Sequence, residues 1–326
     1  MNIIRRDFLA YIFGLGLAAT NCLTLAQDRW PERPVRVVSP YGAGGSNDIS
    51  ARIISEQLSK QLGQQFIVEN KPGAGTRLAN EMVSRASPDG HMLLYAAAPF
   101  ATVETLYGKL NYDSGRDFQP IALTASAPLF LIVNSESQIR TVADFVRYAK
   151  NKPEGINIAS PGSGSGPHLT GELFMKEAGI KGLTVQFRGD ATSYTELLAG
   201  RVDATLTAIT TALPHIKAGK LRVIAVADEV RSDVYPSAPT FVESGFPKII
   251  GYGWFGLMAP RGTPSAVVDR LSSEVNMILK EPGTRRRMLD LGLQPRGGTP
   301  AMFTAFIVRE THKWAEVIRN ADIKGE

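Results

Sequence analysis

Two short stretches carry the small polar side chains and open backbone from which a binding site can be made. The first is VRVVSPYGAGGSNDISARIISEQL, residues 35–58, where an apolar run ends in the turn Gly42-Ala43-Gly44-Gly45-Ser46-Asn47 and a helical pattern follows. Such a turn gathers backbone N–H groups that lack intrahelical partners, and the helix dipole adds positive potential there. The place suits an anion, either a nucleotide phosphate or the carboxylate of a small solute, although a turn of this kind can also hold nothing. Nucleotide motifs fit poorly: Asn47 stands where G-x-G-x-x-G needs its last glycine, and no Gly-Lys-Ser/Thr ending makes a P-loop. Ser46 or Asn47 suits the helix cap. Asp48 reads as a capping residue of the first turn, since its charge would repel an anionic ligand. Ser46 differs because its hydroxyl both donates and accepts.

The second stretch, NIASPGSGSGPHLTGELF (157–174), repeats the order strand, Gly/Ser turn, helix. Ser160, Gly162, Ser163, Gly164 and Ser165 there are either a flexible loop or the partner of the first turn across a cleft. Ligands of open α/β sheets bind beyond the carboxyl ends of the strands. The G-x-S-x-G spacing of a nucleophile elbow is absent. The four histidines, His91, His168, His215 and His312, lie in unrelated settings without a catalytic or metal-ligating motif. No metal site is expected.

Residues 1–26 read as a secretory signal peptide. Arg5 and Arg6 precede an apolar run from Phe8 to about Ala19, too short to span a bilayer, and Thr24-Leu25-Ala26 suits cleavage near Ala26. RRDFL fits a twin-arginine signal or an ordinary one with two basic residues. Asn21 before Cys22 argues against a lipid anchor. Cleavage removes Cys22, the only cysteine, and with it any disulfide, thiol nucleophile or thiolate metal site.

The elements that must position these stretches alternate along the chain. The 326 residues, 44% hydrophobic and 21% charged, are globular in composition and long enough for one large or two ordinary domains. The net charge of +5 is dispersed except at Arg285-Arg286-Arg287, which falls on a helical pattern and reads as a solvated face. Aromatics are not interleaved with basic residues, which excludes a nucleic-acid groove. Short apolar runs predict strands over 35–39, 66–69, 92–96, 129–133, 156–159, 183–187, 203–207, 222–227 and 251–260. Helical patterns cover 47–62, 78–86, 142–150, 167–178, 192–199, 213–218, 264–280, 284–291 and 300–320. This alternation predicts an α/β architecture of open, mostly parallel sheets.

Residues 39–76, SPYGAGGSNDISARIISEQLSKQLGQQFIVENKPGAGT, resemble the opening of the Bug-type receptors, the extracytoplasmic solute receptors of tripartite tricarboxylate transport systems. ASPDGHMLL, DFQPIAL, NIASPGSGSGPHLTGELF, ELLAGRVDA, ALPHIKAGKLRVIAV, WFGLMAPRGTP and GTPAMFTAFIVRETHKWAEVI follow in order, over nearly all of the mature chain. The resemblance implies a two-domain periplasmic-binding-protein fold, type II-like, with a hinged interdomain cleft. Crossings near 128–133 and 251–257 would give one domain of 27–127 plus 253–326 and another of 128–252. It implies a ligand carboxylate held, partly through ordered waters, by Tyr41, Gly42, Ala43, Gly44 and Ser46, with Ala97, Ala98 and Pro99 lining the same side. From the other domain it implies Ser160, Gly162, Ser163, Gly164 and Ser165. His168 is a ligand contact or a packing residue at the helix start. In FRGDATS (187–193), Arg188 is a bidentate partner for a second carboxylate or a solvated arginine.

The chain departs from the family pattern twice. Thr207 and Ala208 stand where such receptors often carry a carboxylate and an amide, and Gly189-Asp190 stands where paired glycines are common. If both places face the cleft, the distal end of the ligand meets a different surface, and the usual ligands do not transfer. The expected function is a monomeric periplasmic receptor that captures a small carboxylate-bearing solute, without cofactor, and delivers it to membrane subunits of a tripartite tricarboxylate transporter. A receptor that presents its ligand to a sensor kinase fits the same residues. An exported hydrolase would need a nucleophile, a base and an orienting acid, and no such motif set is present.

Overall fold

The computed structural model describes residues 30–320 and 322–324, so the expected signal peptide and Cys22 lie outside the described residues. The first part of the chain forms β1 (Val35–Ser39), α1 (Ser46–Leu62), β2 (Phe66–Asn70), α2 (Arg77–Ser84), β3 (Met92–Ala97) and α3 (Val103–Tyr107). The long β4 (Phe118–Asn134) then leads to α4 (Val142–Lys150), β5 (Ile156–Ser160), α5 (Gly166–Ala178), β6 (Gly182–Gln186), α6 (Asp190–Leu198), β7 (Ala204–Ala208), α7 (Leu213–Lys217) and β8 (Leu221–Val226). The chain returns on β9 (Tyr252–Pro260) and ends in α8 (Ser265–Lys280), α9 (Pro282–Asp290), β10 (Gln294–Pro295) and α10 (Pro300–Asn320).

The strands run in the order β2-β1-β3-β9-β4-β7-β5-β6, with β8 and β10 also paired to β4. The β1, β2 and β3 set is parallel, as is the β5, β6 and β7 set. β4 and β9, however, pair antiparallel with each other and with their other neighbours. The sheet is therefore mixed rather than mostly parallel. An outgoing crossing strand and a returning one lie side by side, so they must run in opposite directions. β4 changes partner midway: it pairs with β9 as far as Pro128, and with β7 from Leu129.

The apolar patterning of 129–133 predicts only the last part of β4. Pro120 and Pro128 argue against a strand through 118–128, because proline donates no ladder hydrogen bond. Register shifts at Pro120/Ala122 and Leu123/Ala125 accommodate the strand there. The alternation within β4 then sorts the core. Leu129, Leu131 and Val133 pack with Phe145, Phe174 and Phe241 on one face, whereas Phe130 and Ile132 pack with Tyr194, Leu197 and Ile209 on the other. β1 does the same, with Val35 and Val37 against Ile54 and Leu58, and Val38 with Leu94 and Trp254. Burial of both faces explains why these strands read as continuous apolar runs. α10 reaches across: Trp314 and Ile318 pack on Leu169 of α5. Arg285, Arg286 and Arg287 are exposed, and Arg287 pairs with Glu56.

Candidate functional site

The turn after β1, the turn after β5 and the loop after β6 meet at one cleft. The N-termini of α1, α5 and α6 line a cavity of about 40 Å³ there, through Ser46, Gly166 and Asp190. The other walls are mostly apolar, among them Tyr41, Ala97, Leu129, Pro161, Trp254 and Phe255. Such a volume holds a water-sized group or two.

The charged group at its centre is the protein's own. Asp190, 6% exposed, accepts at Oδ2 from the Ser46 backbone N–H (3.1 Å) and the Ser46 hydroxyl (2.6 Å). Its Oδ1 accepts from the Thr207 hydroxyl at 2.8 Å. All three partners are uncharged. The turn at α1 thus holds a carboxylate by a backbone amide and a serine hydroxyl, and that carboxylate belongs to the chain itself. Burial, and then the Asp190 charge, push the Tyr41 and Tyr194 phenols well above their ordinary range, which keeps both neutral.

The backbone closes the same seam. Gly42 N–H donates to Arg188 O at 3.0 Å, and a Cβ on Gly42 would stand 2.8 Å from that oxygen. Gly166 is similar, since a Cβ there would stand 2.6 Å from Tyr252 O. The Thr102 hydroxyl donates across to Gly164 O at 2.8 Å.

Of the residues expected at the site, Tyr41, Ser46, Ala97, Ala98, Ser165 and Thr207 line this inner cavity. Gly162, Ser163 and Arg188 line a second cavity of about 260 Å³, which shares Tyr41 and Pro161 with the first. Ala43 and Gly44 are exposed and line neither, and the Gly44 N–H donates to Asp48 Oδ2. Burial alone would raise the Asp48 carboxyl. Hydrogen bonds from Arg52, Gly44 and Asn70 instead hold it below its ordinary value, so Asp48 closes its own turn. The Ser160 hydroxyl lies 3.3 Å from Ser165 Oγ, and Ser165 caps α5 by accepting from His168 N–H. His168 Nδ1 accepts from Gly164 N–H at 3.0 Å, and burial lowers its pKa to about 4. The imidazole is neutral, lines neither cavity and braces the turn.

The outer cavity lies between the 72–76 loop, the 161–163 turn and the end of β6. Thr76 Oγ1 and Ser163 Oγ, both in its wall, are buried without a hydrogen-bond partner, as is Gln186 Oε1. Arg188 is exposed there, and its guanidinium has no hydrogen-bond or ion-pair partner among the described residues. The loop holds two non-glycine residues at left-handed φ, Ala74 at 48° and Thr76 at 75°, a costly backbone for such residues.

Asp190, Leu129, Pro161, Gly166, Trp254 and Phe255 are site residues that the sequence reading did not select. Asp190 stood out as a departure from the family pattern, but nothing local pairs it with Ser46. Trp254 and Phe255 sit on the predicted returning strand, with no sign in sequence of which side faces the cleft. Among the described residues, no three or more His, Cys, Asp and Glu are grouped to hold a metal ion.

Comparison with known proteins follows the same lines. The model of the tripartite tricarboxylate transporter family receptor matches residues 50–323. The "UPF0065 protein in tcbD-tcbE intergenic region" of Pseudomonas sp. (strain P51) is 34% identical over 320 residues, covering 97% of this chain and 94% of the relative. The structure of R. palustris Rpa4515 with adipate is 30% identical and superposes with a TM-score of 0.88, covering 91% of this chain and 100% of that one. The periplasmic binding protein BugD is 32% identical with a TM-score of 0.86, again covering 91% of this chain and 100% of that one.

Proposed function

The chain belongs to the tripartite tricarboxylate transporter receptor family, and on that premise we propose that its cleft captures a small carboxylate-bearing solute for delivery to a membrane transporter of that type. The family and the neighbouring structures are binding proteins, and the fold is the α/β fold of periplasmic binding proteins. No helix among the described residues is long and apolar enough to cross a membrane. We read the protein as exported to the periplasm, with cleavage near Ala26, and as acting there as a monomer without catalysis. In this reading, residues 27–127 with 253–326 and residues 128–252 are two bodies that part to admit the solute. The hinges are the two crossing strands.

One observation carries the reading. The outer cavity offers an unpaired guanidinium at Arg188 and two buried, unpartnered hydroxyls at Thr76 and Ser163. Unpartnered buried side-chain atoms occur elsewhere in the described structure as well, and here two such hydroxyls share a cavity with a guanidinium that has no partner among the described residues, which points to an acceptor for all three. A carboxylate accepts from all three donors, and a planar guanidinium suits it bidentately. The adipate in R. palustris Rpa4515 is a carboxylate ligand of a relative, which supports the same chemistry here.

Thermal unfolding against a panel of mono-, di- and tricarboxylates tests it, with the fully esterified compounds as controls. A ligand at 100 times its dissociation constant adds about 2.7 kcal/mol of stability. The expected result is a shift with at least one acid, none with its ester, and loss of the shift in Arg188→Met. Equal shifts with acid and ester, or no shift with any acid, would remove the carboxylate reading.

A further inference from the structure

We infer that Asp190 selects the inner end of the ligand: the solute carries a hydrogen-bond-donating nitrogen, an ammonium or a primary amide, opposite its carboxylate. This rests on the carboxylate reading above and adds to it. The cleft is polarised. Its inner cavity contains one charged group, the Asp190 carboxylate, with uncharged partners at Ser46 and Thr207 and largely apolar walls, in which Trp254 keeps a buried indole N–H without a partner among the described residues. Its outer cavity contains the unpaired Arg188. Only Gly189 separates the two residues in the chain, so their Cα atoms lie within about 7 Å of each other. Anion outside and donor inside is therefore the order the cleft rewards.

The physical case against a second carboxylate inside is direct. Two carboxylates in one buried pocket repel, and one of them must take up a proton. Ser46 and Thr207 direct three donors at Asp190, and these are the donors a ligand carboxylate would need there. An ionised carboxylate is an acceptor with about four lone-pair sites, and three are used, so one direction remains for a donor from the ligand. An ammonium would also supply the counter-charge that Asp190 lacks, whereas a primary amide would supply the hydrogen bond alone.

Matched trios separate these cases: succinate, β-alanine and succinamate; glutarate, γ-aminobutyrate and glutaramate; adipate, δ-aminovalerate and adipamate. Calorimetric titration of each into the protein purified after export is expected to show a nitrogen-bearing member binding roughly tenfold or more tighter than its dicarboxylate, as for a hydrogen bond to a charged group. Asp190→Ser should reverse the order within the same trio, and Asp190→Asn, which keeps the size and a carbonyl acceptor, should weaken the ammonium member most. A wild-type protein that prefers the dicarboxylate, or variants that change all members of a trio by one factor, would overturn the role of Asp190 and leave the carboxylate receptor standing. If no member of any trio binds wild type or variants, the carboxylate reading fails and this inference with it. If Asp190→Ser does not fold, the wild-type ranking and Asp190→Asn still decide.

Discussion

The two glycine-rich turns look alike in sequence and differ in where their hydrogen bonds go. The turn before α1 reaches out: Ser46 gives both its donors to Asp190, and Gly42 gives its N–H to Arg188. The turn before α5 looks after itself. Ser165 caps its own helix, Ser160 lies beside Ser165, and Gly164 N–H goes to His168. Gly164 O reaches outward to Thr102, Ser160 O accepts from Phe187 N–H, and the Ser163 hydroxyl has no partner among the described residues. A turn whose donors are engaged across the cleft ties its two sides together. A turn whose donors are engaged locally governs the stability of its own helix, and the one donor it leaves over is available to a ligand.

The largest expected effect concerns the second turn. His168 is held neutral with a pKa near 4, against about 6.5 in the unfolded chain. The unfolded state therefore binds the proton first as pH falls. Stability should be flat above pH 6.5 and fall between roughly 6.5 and 4, by up to about 3 kcal/mol. Glu172 carboxylate lies 3.9 Å from Nε2 and would soften the loss. Denaturant unfolding across that range should show a slope that His168→Gln flattens, and an unchanged slope would place the acid sensitivity elsewhere.

Next is Ser46→Ala. It removes a hydroxyl donor to a buried carboxylate but no helix cap, because the cap position is Gly45. We expect about 1.5–3 kcal/mol to be lost from the closed state. Small-angle scattering should show a more open protein, and unchanged scattering would detach Ser46 from closure. Gly42→Ala acts at the same seam by bulk, since its backbone tolerates alanine but Arg188 O does not. Crowding of this kind costs about 1–3 kcal/mol, so binding should weaken up to roughly 100-fold with little change in the unfolding of the halves. A variant that loses stability rather than affinity would contradict the distinction between the turns. Smallest is Ser165→Ala, which removes a cap at a cost of about 1 kcal/mol. Denaturant midpoints should report it, and an effect on ligand preference instead would make Ser165 a contact residue.

Much of the fold was legible because both sheet faces are buried. Val35, Val37 and Val38 in β1, and Leu129 to Val133 in β4, had to be apolar whichever helix covered them. Residues 118–128 escaped notice because proline penalises a regular strand, and the irregular pairing that tolerates it exists only against β9. Of the residues that line the inner cavity, Ser46 and Ser165 stand out by turn chemistry, Tyr41 by the family resemblance and Thr207 by departure from its pattern. Trp254 and Phe255 do not, since strand alternation assigns sides without saying which side meets the cleft.

Residue types and their order determined the family, the alternating elements and the supply of small donors at two helix starts. Those are local properties, set by periodicity, glycine and capping chemistry. Which donors remain free was decided only by tertiary structure, because hydrogen bonds saturate and the partner that saturates Ser46 lies 144 residues away. The same sequence distance explains why Asp190 reads as an anomaly in the chain and as the centre of the cleft in the fold.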